Sequence, residues 1–217
     1  MHGSGAAKAA DFFARARARL TLDVPAALHD PLAQAVRGDI DLDPVQWEKA
    51  GVKALRPAAV LVGIVDHAEP MVLLTQRTAA LTDHAGQIAF PGGKIDPHDE
   101  TPFAAAMREA DEEIGLDRAL IEPIGYLDLY LTFSGFRILP AVARIREGYS
   151  LTLNRAEVDD AFEVPLDFLM SPANHQQHSR ENRGVTRRYY AMPFQSRYIW
   201  GVTAGILKNL HDRVYGA

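Results

Sequence analysis

The feature that most restricts this chain is a helix whose caps are well placed and whose charges are not. Residues 92–116 read G-G-K-I-D-P-H-D-E-T-P-F-A-A-A-M-R-E-A-D-E-E-I-G-L. Thr101 suits the N-cap, Pro102 the first helical position, and Gly115 a left-handed C-terminal close. Phe103, Met107, Ala110 and Ile114 recur at helical spacing and form one apolar face. At about 100° per residue, Glu109, Glu112 and Glu113 gather on a largely opposite face.

Carboxylates near a helix C-terminus oppose the macrodipole, and like charges three or four residues apart repel. For a partly buried pair at ~4 Å and an effective dielectric of about 20, the repulsion is on the order of 4 kcal/mol. A solvated acidic face avoids the penalty by staying exposed. Proton uptake or a bound cation relieves it if the face is covered, and hard divalent ions take oxygen ligands. The carboxylates alone leave these readings open.

Their neighbours narrow the choice. The stretch resembles the Nudix box, a glycine, a glutamate and then R-E-x-x-E-E-x-G with an aliphatic residue. Arg108, Glu109, Glu112, Glu113, Gly115 and Leu116 match it without a gap, and Glu100 stands eight residues before Arg108, as the box requires. Counting back from Glu100, the box glycine falls on Lys94, so the Gly92-Gly93 pair sits one residue early and the loop carries an insertion. The resemblance implies Glu109, Glu112 and Glu113 as ligands of Mg2+ or Mn2+, with the Gly93 carbonyl as a further donor. It implies an Arg108–Glu100 pair holding helix and loop in register. The general base is either a box glutamate or Glu157.

Composition excludes several other classes. The chain has 217 residues, enough for one domain with a sizeable core. Its net charge of −5 argues against a basic groove for nucleic acid. It has no cysteine, which removes disulfides, thiolate metal sites and a cysteine nucleophile. No apolar run approaches the ~20 residues of a membrane span, and no signal-peptide core is present, so a cytoplasmic location is expected.

Residues 1–50 read as an N-terminal helical extension and 51–217 as the hydrolase domain. Ala9–Leu20 is a helix that presents Phe12, Phe13, Ala16 and Leu20 to the body or to a partner subunit, a homodimer being one arrangement it allows. Ala58–Val65 and Met71–Thr75 form a hairpin, and Gln87–Phe90 a short strand. Ile121–Thr132 and Phe136–Ile145 form a second hairpin. Glu157–Val164 is a strand, Leu166–Met170 a helical turn, Val185–Met192 an edge-like strand and Val202–Val214 a helix. Asn174–Gly184, polar and rich in His and Arg, reads as a loop. Strands mixed with a few helices indicate an α/β fold with a mixed sheet; the resemblance implies a Nudix-type α/β/α sandwich.

Residues outside the box bear on substrate. Leu73-Leu74-Thr75-Gln76-Arg77, then Gly86 and Phe90-Pro91-Gly92-Gly93, resemble the signature of the coenzyme A pyrophosphatase branch. Later stretches around Thr132–Phe136, Phe162–Leu166 and Ile199–Ala204 are similar to that branch too. Thr82 stands where the signature has its second arginine, so Arg77, Arg137 or Arg187 must serve instead. Gly86, Gly92 and Gly93 serve either tight turns or close approach to phosphate. His84 is either a loop hydrogen-bonder or a substrate contact, and Trp200 reads as core. Phe133, Phe136 and Tyr130 either stack an adenine or pack internally.

The resemblance implies hydrolysis of the diphosphate of coenzyme A and its thioesters to 3′,5′-ADP and 4′-phosphopantetheine or its acyl form. The same chemistry on ADP-ribose or NADH is the alternative, and a non-catalytic nucleotide sensor stands further off because every acidic box position is filled.

Overall fold

The computed structural model describes residues 3–30, 37–42, 44, 55–80, 84–182 and 185–216. In chain order the elements are α1 (Gly3–Arg19), β1 (Arg37–Gly38), β2 (Arg56–Val65), β3 (Met71–Arg77), β4 (Ile88–Ala89) and β5 (Gly92–Lys94). Then come α2 (Pro102–Ile114), β6 (Ile121–Tyr126), β7 (Tyr130–Leu131), β8 (Phe136–Ile145), β9 (Val158–Pro165) and α3 (Leu166–Leu169). The chain ends in β10 (Gln176–Asn182), β11 (Val185–Phe194), β12 (Arg197–Trp200) and α4 (Val202–Tyr215).

Strands β1 to β9 build one mixed sheet, in the order β1-β7-β8-β2-β3-β4, with β5 on β2, β6 on β8 and β9 on β3. At its centre β2 and β8 run parallel, from Arg56 beside Phe136 to Val65 beside Ile145. Both are apolar on both faces, as a sheet covered on two sides demands. Val62, Ile64 and Val142 point into one core with residues of α1 and α4. Leu61, Leu139, Ala141 and Ala143 point into the other, against Phe103, Ala106, Ala110 and Ile114 of α2. The result is the expected α/β architecture, helices on either side of a mixed sheet.

Three expectations change. Gln176–Asn182 is not a loop but strand β10, antiparallel to β11 from Gln176 beside Ala191 to Asn182 beside Val185. Strand β11 is therefore no edge; it lies between β10 and β12 in a second sheet. The polar sequence hid β10 because cross-strand bonds, not an apolar face, hold it. Trp200 is not core either: it is partly exposed and sits in a surface aromatic group with Tyr189 and Tyr198. Helix α1 contributes to the core, with Phe12 and Ala16 fully buried. Among the described residues, no helix is long and apolar enough to cross a membrane.

Candidate active site

Helix α2 forms where its caps dictate. The Thr101 hydroxyl accepts from the Ala104 N–H at 3.0 Å, Pro102 opens the first turn, and Gly115 closes the helix at φ 66°. Burial of Phe103, Ala106, Ala110 and Ile114 against the sheet turns the glutamates toward β5 and the segment before β9.

The glycine pair explains how close that approach is. Gly92 lies flat on β2 at φ 152°, where a Cβ would come within 2.5 Å of the Ala59 carbonyl oxygen. At Gly93 a Cβ would meet the Glu109 carboxyl carbon at 2.6 Å. Any side chain at residue 93 would displace that carboxylate, so here glycine serves close approach, not turn geometry alone.

Glu113 is only 3% exposed. Burial pushes its carboxyl up to about 8; Arg77 and the Gly92 N–H oppose the shift, and the nearby Glu109 and Glu157 reinforce it. Arg77, the last residue of β3, sets a guanidinium nitrogen 3.8 Å from the Glu113 carboxylate, beyond hydrogen-bond range, and its buried Nε has no partner among the described residues. Glu109 is also pushed up by burial, against the pull of Arg108, with Glu112 and Glu157 adding like charge. Glu157 stands at the mouth of β9, where its carbonyl accepts from the Thr78 N–H at 2.9 Å. The solvated reading of the acidic face therefore fails for Glu113 and Glu109, and holds only for Glu112, whose side chain is 56% exposed.

Arg108 corrects the expected register. Its guanidinium does not pair with Glu100, which is exposed. It makes a two-pronged bond to Asp99, Nε to Oδ1 at 3.0 Å and Nη2 to Oδ2 at 2.9 Å. It also donates to Glu109 at 2.9 Å, Glu112 at 3.1 Å and the Lys94 carbonyl at 3.1 Å. Asp99 follows Gly93 by the six residues that the box sets between its glycine and its acid. The inserted residue therefore lies after the acid, not before it, and the shorter Asp99 takes the arginine. This bond holds the Asp99 carboxyl below its ordinary range.

Arg137, expected at the substrate, is buried on β8 and donates to the backbone carbonyls of Ala27 and Asp30. Its Nη1 clamps the N-terminal segment, and its buried Nε, like that of Arg77, has no partner among the described residues. Gly86 is exposed at φ 68° and closes the β3–β4 turn, its N–H donating to the Arg77 carbonyl at 3.1 Å. His84 bonds Gln87 within the same turn. Thr82 lies outside the described residues. Tyr130 is buried on Asp39, Phe136 carries the Arg56 guanidinium and Phe133 that of Arg187.

The donor set suits a hard divalent cation. Glu113 is a buried carboxylate with the Arg77 guanidinium 3.8 Å away; Glu109 and Glu157 are near it and the Gly92 N–H bonds it, while Gly93 lies against Glu109. Among the described residues no three acidic or imidazole side chains already converge as a cage. Arg108 holds Glu109 and Glu112, so an ion competes with that guanidinium for them.

The chain is similar to known proteins along most of its length. Residues 54–188 match the family described as NUDIX domain. A protein named "Uncharacterized Nudix hydrolase NudL" from Photorhabdus laumondii is 40% identical over 159 residues, 73% of this chain and 85% of that protein. One of the same name from Yersinia pestis is 36% identical over 159 residues, 73% of this chain and 80% of that one. Among solved structures, the NUDIX domain of Shewanella oneidensis NrtR complexed with ADP ribose aligns at 25% identity and TM-score 0.40, over 55% of this chain and 79% of that chain.

Proposed function

The chain belongs to the Nudix hydrolase family, whose members hydrolyse nucleoside diphosphate derivatives, and from that premise we propose that its substrate is coenzyme A or an acyl-coenzyme A. One observation supports this most: Arg77, which ends the L-L-T-Q-R stretch, and Gly92 of F-P-G-G both face Glu113 of the box. The two motifs belong to one site.

Glu109, Glu112 and Glu113 would hold a divalent cation, with the Gly93 carbonyl as a further donor. When bound, that ion neutralises charge on the diphosphate oxygens and acidifies water. The chain's own residues do the rest. Arg77, with an unpaired Nε and a loosely held Glu113, turns to a phosphate oxygen of the substrate. Glu157 takes the proton of the attacking water as its oxygen bonds to one phosphorus, and the bond from that phosphorus to the bridging oxygen breaks. Products are 3′,5′-ADP and 4′-phosphopantetheine or its acyl form. Arg108 keeps loop and helix in register and bonds no substrate.

The test is a substrate panel with Mg2+, comparing coenzyme A, dephospho-coenzyme A, ADP-ribose and NADH by product chromatography. Preference for coenzyme A over its dephospho form supports the reading. Equal or better turnover of ADP-ribose or NADH replaces it with the alternative that Thr82 favours, since this chain lacks the second signature arginine there.

A further inference from the structure

Three positions before the proposed base stands Asn154. It is bonded at both of its backbone groups and both of its side-chain atoms. Its N–H donates to the carbonyl of Glu113 at 2.9 Å, satisfying one of the last carbonyls of α2. Its carbonyl accepts from the N–H groups of Glu157 and Val158, each at 2.9 Å. Its Oδ1 accepts from the Ala156 N–H at 3.2 Å, and its Nδ2 donates to Oε1 of Glu157 at 3.3 Å. The two ends of the amide have different partners, which fixes its orientation.

We propose that Asn154 is a positioning residue for Glu157, tying that carboxylate to the turn of α2 that carries Glu113. The inference rests on the role given to Glu157 above. Only a short amide both accepts from Ala156 and donates to Glu157 from one side chain. Aspartate keeps the acceptor and the turn but replaces the donor with a repelling carboxylate. Serine keeps the acceptor and is too short for the rest. The bond to Glu157 fixes one oxygen and leaves Oε2 for water.

The neighbouring bonds make this a frame. Thr152 donates to the Ile114 carbonyl at 2.8 Å, and the Glu157 carbonyl takes the N–H of Thr78, next to Arg77. The segment 152–157 thus joins the end of α2 to the end of β3. Within it, the Asn154 amide is the side-chain contact that reaches the Glu157 carboxylate.

The experiment compares Asn154→Asp, Glu157→Gln and the double variant, with coenzyme A and Mg2+ as probe. Asn154→Asp retains the turn acceptor, so it serves as the folded control that Asn154→Ala is not. It is expected to lower kcat about 30-fold with KM within about twofold, and to lower it no further in the Glu157→Gln background. An unchanged kcat, or an equal loss in both backgrounds, overturns the proposal. A second readout needs no turnover: in amide NMR of the substrate-free protein, Glu157→Gln should shift the Asn154 side-chain pair, identified by its loss in Asn154→Asp. An unshifted pair overturns the inference whatever the substrate is. A shifted pair with full activity in the box variant Glu113→Gln sinks the reaction reading instead, and with it the catalytic meaning of this bond.

Discussion

Two arginines face the glutamates of α2, and they are held in opposite ways. Arg108 spends its guanidinium on Asp99, Glu109, Glu112 and the Lys94 carbonyl, all within 3.1 Å. Arg77 stands 3.8 Å from Glu113 and keeps a buried Nε without a partner among the described residues. A saturated guanidinium is part of the framework; an unsaturated one beside a buried carboxylate is poised to change partners. The glutamates inherit the difference. Burial pushes both up, but Arg108 opposes the shift at Glu109 from close range, whereas Glu113, with Arg77 3.8 Å away, is pushed up to about 8.

The largest expected effect lies at Glu113. Glu113→Gln should lower kcat by ~10³-fold, or about 4 kcal/mol in barrier, while the fold persists. The same variant tests the electrostatics in the absence of divalent ions. With Glu113 at about 8 in the folded protein against an ordinary 4.5, the folded chain holds a proton that the unfolded chain releases between these values. Stability of the cation-free protein should therefore be greatest, as far as this group goes, below pH 4.5. It should fall as pH rises toward 8, by an amount on the order of a few kcal/mol. Chemical denaturation in chelator across that range measures it, and Glu113→Gln should flatten the slope. An unaltered slope in the variant would place the titration elsewhere.

Next come the arginines, where the contrast predicts a crossing of effects. Arg108→Ala strips Asp99, whose side chain is only 6% exposed, of its counter-charge. It should cost about 2–4 kcal/mol of stability, read from denaturant midpoints. Arg77→Ala removes a guanidinium whose Nη1 meets Glu113 only at 3.8 Å, so its midpoint should move by less than about 1 kcal/mol. Its kcat/KM should instead fall about 10–100-fold. If Arg77→Ala destabilised as much as Arg108→Ala, the two would be equivalent framework residues and the contrast would be lost.

What the sequence disclosed depended on how local the cause was. The limits of α2 were legible because Thr101, Pro102 and Gly115 act within one turn of themselves. The gathering of Glu109 and Glu113 was legible through helical spacing and the box resemblance, whereas Glu157, outside the box, entered only as an alternative base. The burial of Glu113 was not, since it depends on β3 and β5 folding over it. Arg137 read as a free cation because its partners, the carbonyls of Ala27 and Asp30, lie more than a hundred residues away and are backbone groups with no sequence signature. The β10 strand was illegible for the related reason that His178, Ser179 and Arg180 pair with β11 through main chain. Asn154 carried one faint signal, an Asn three residues before a glutamate at a strand mouth, which reads as an Asx turn without indicating what its Nδ2 reaches.

The smallest effect separates the two acids that compete for Arg108 in sequence. Spacing from Arg108 selects Glu100; spacing from Gly93 selects Asp99. The first distance runs along a helix start, the second through a loop pinned at both ends by β5 and by the Asp96 N–H, which donates to Asp99 at 2.8 Å. A loop so closed sets its own register, and the additional residue is absorbed at the exposed Glu100 before the Thr101 cap. Asp99→Asn should therefore lose about 1–3 kcal/mol, because Arg108 keeps a partner of the right shape but not the charge. Glu100→Gln should change stability by less than about 0.5 kcal/mol and kcat by less than about twofold. Denaturant midpoints of the two variants, measured side by side, decide it. Reversal of their order would return the arginine to Glu100 and move the insertion back ahead of the acid.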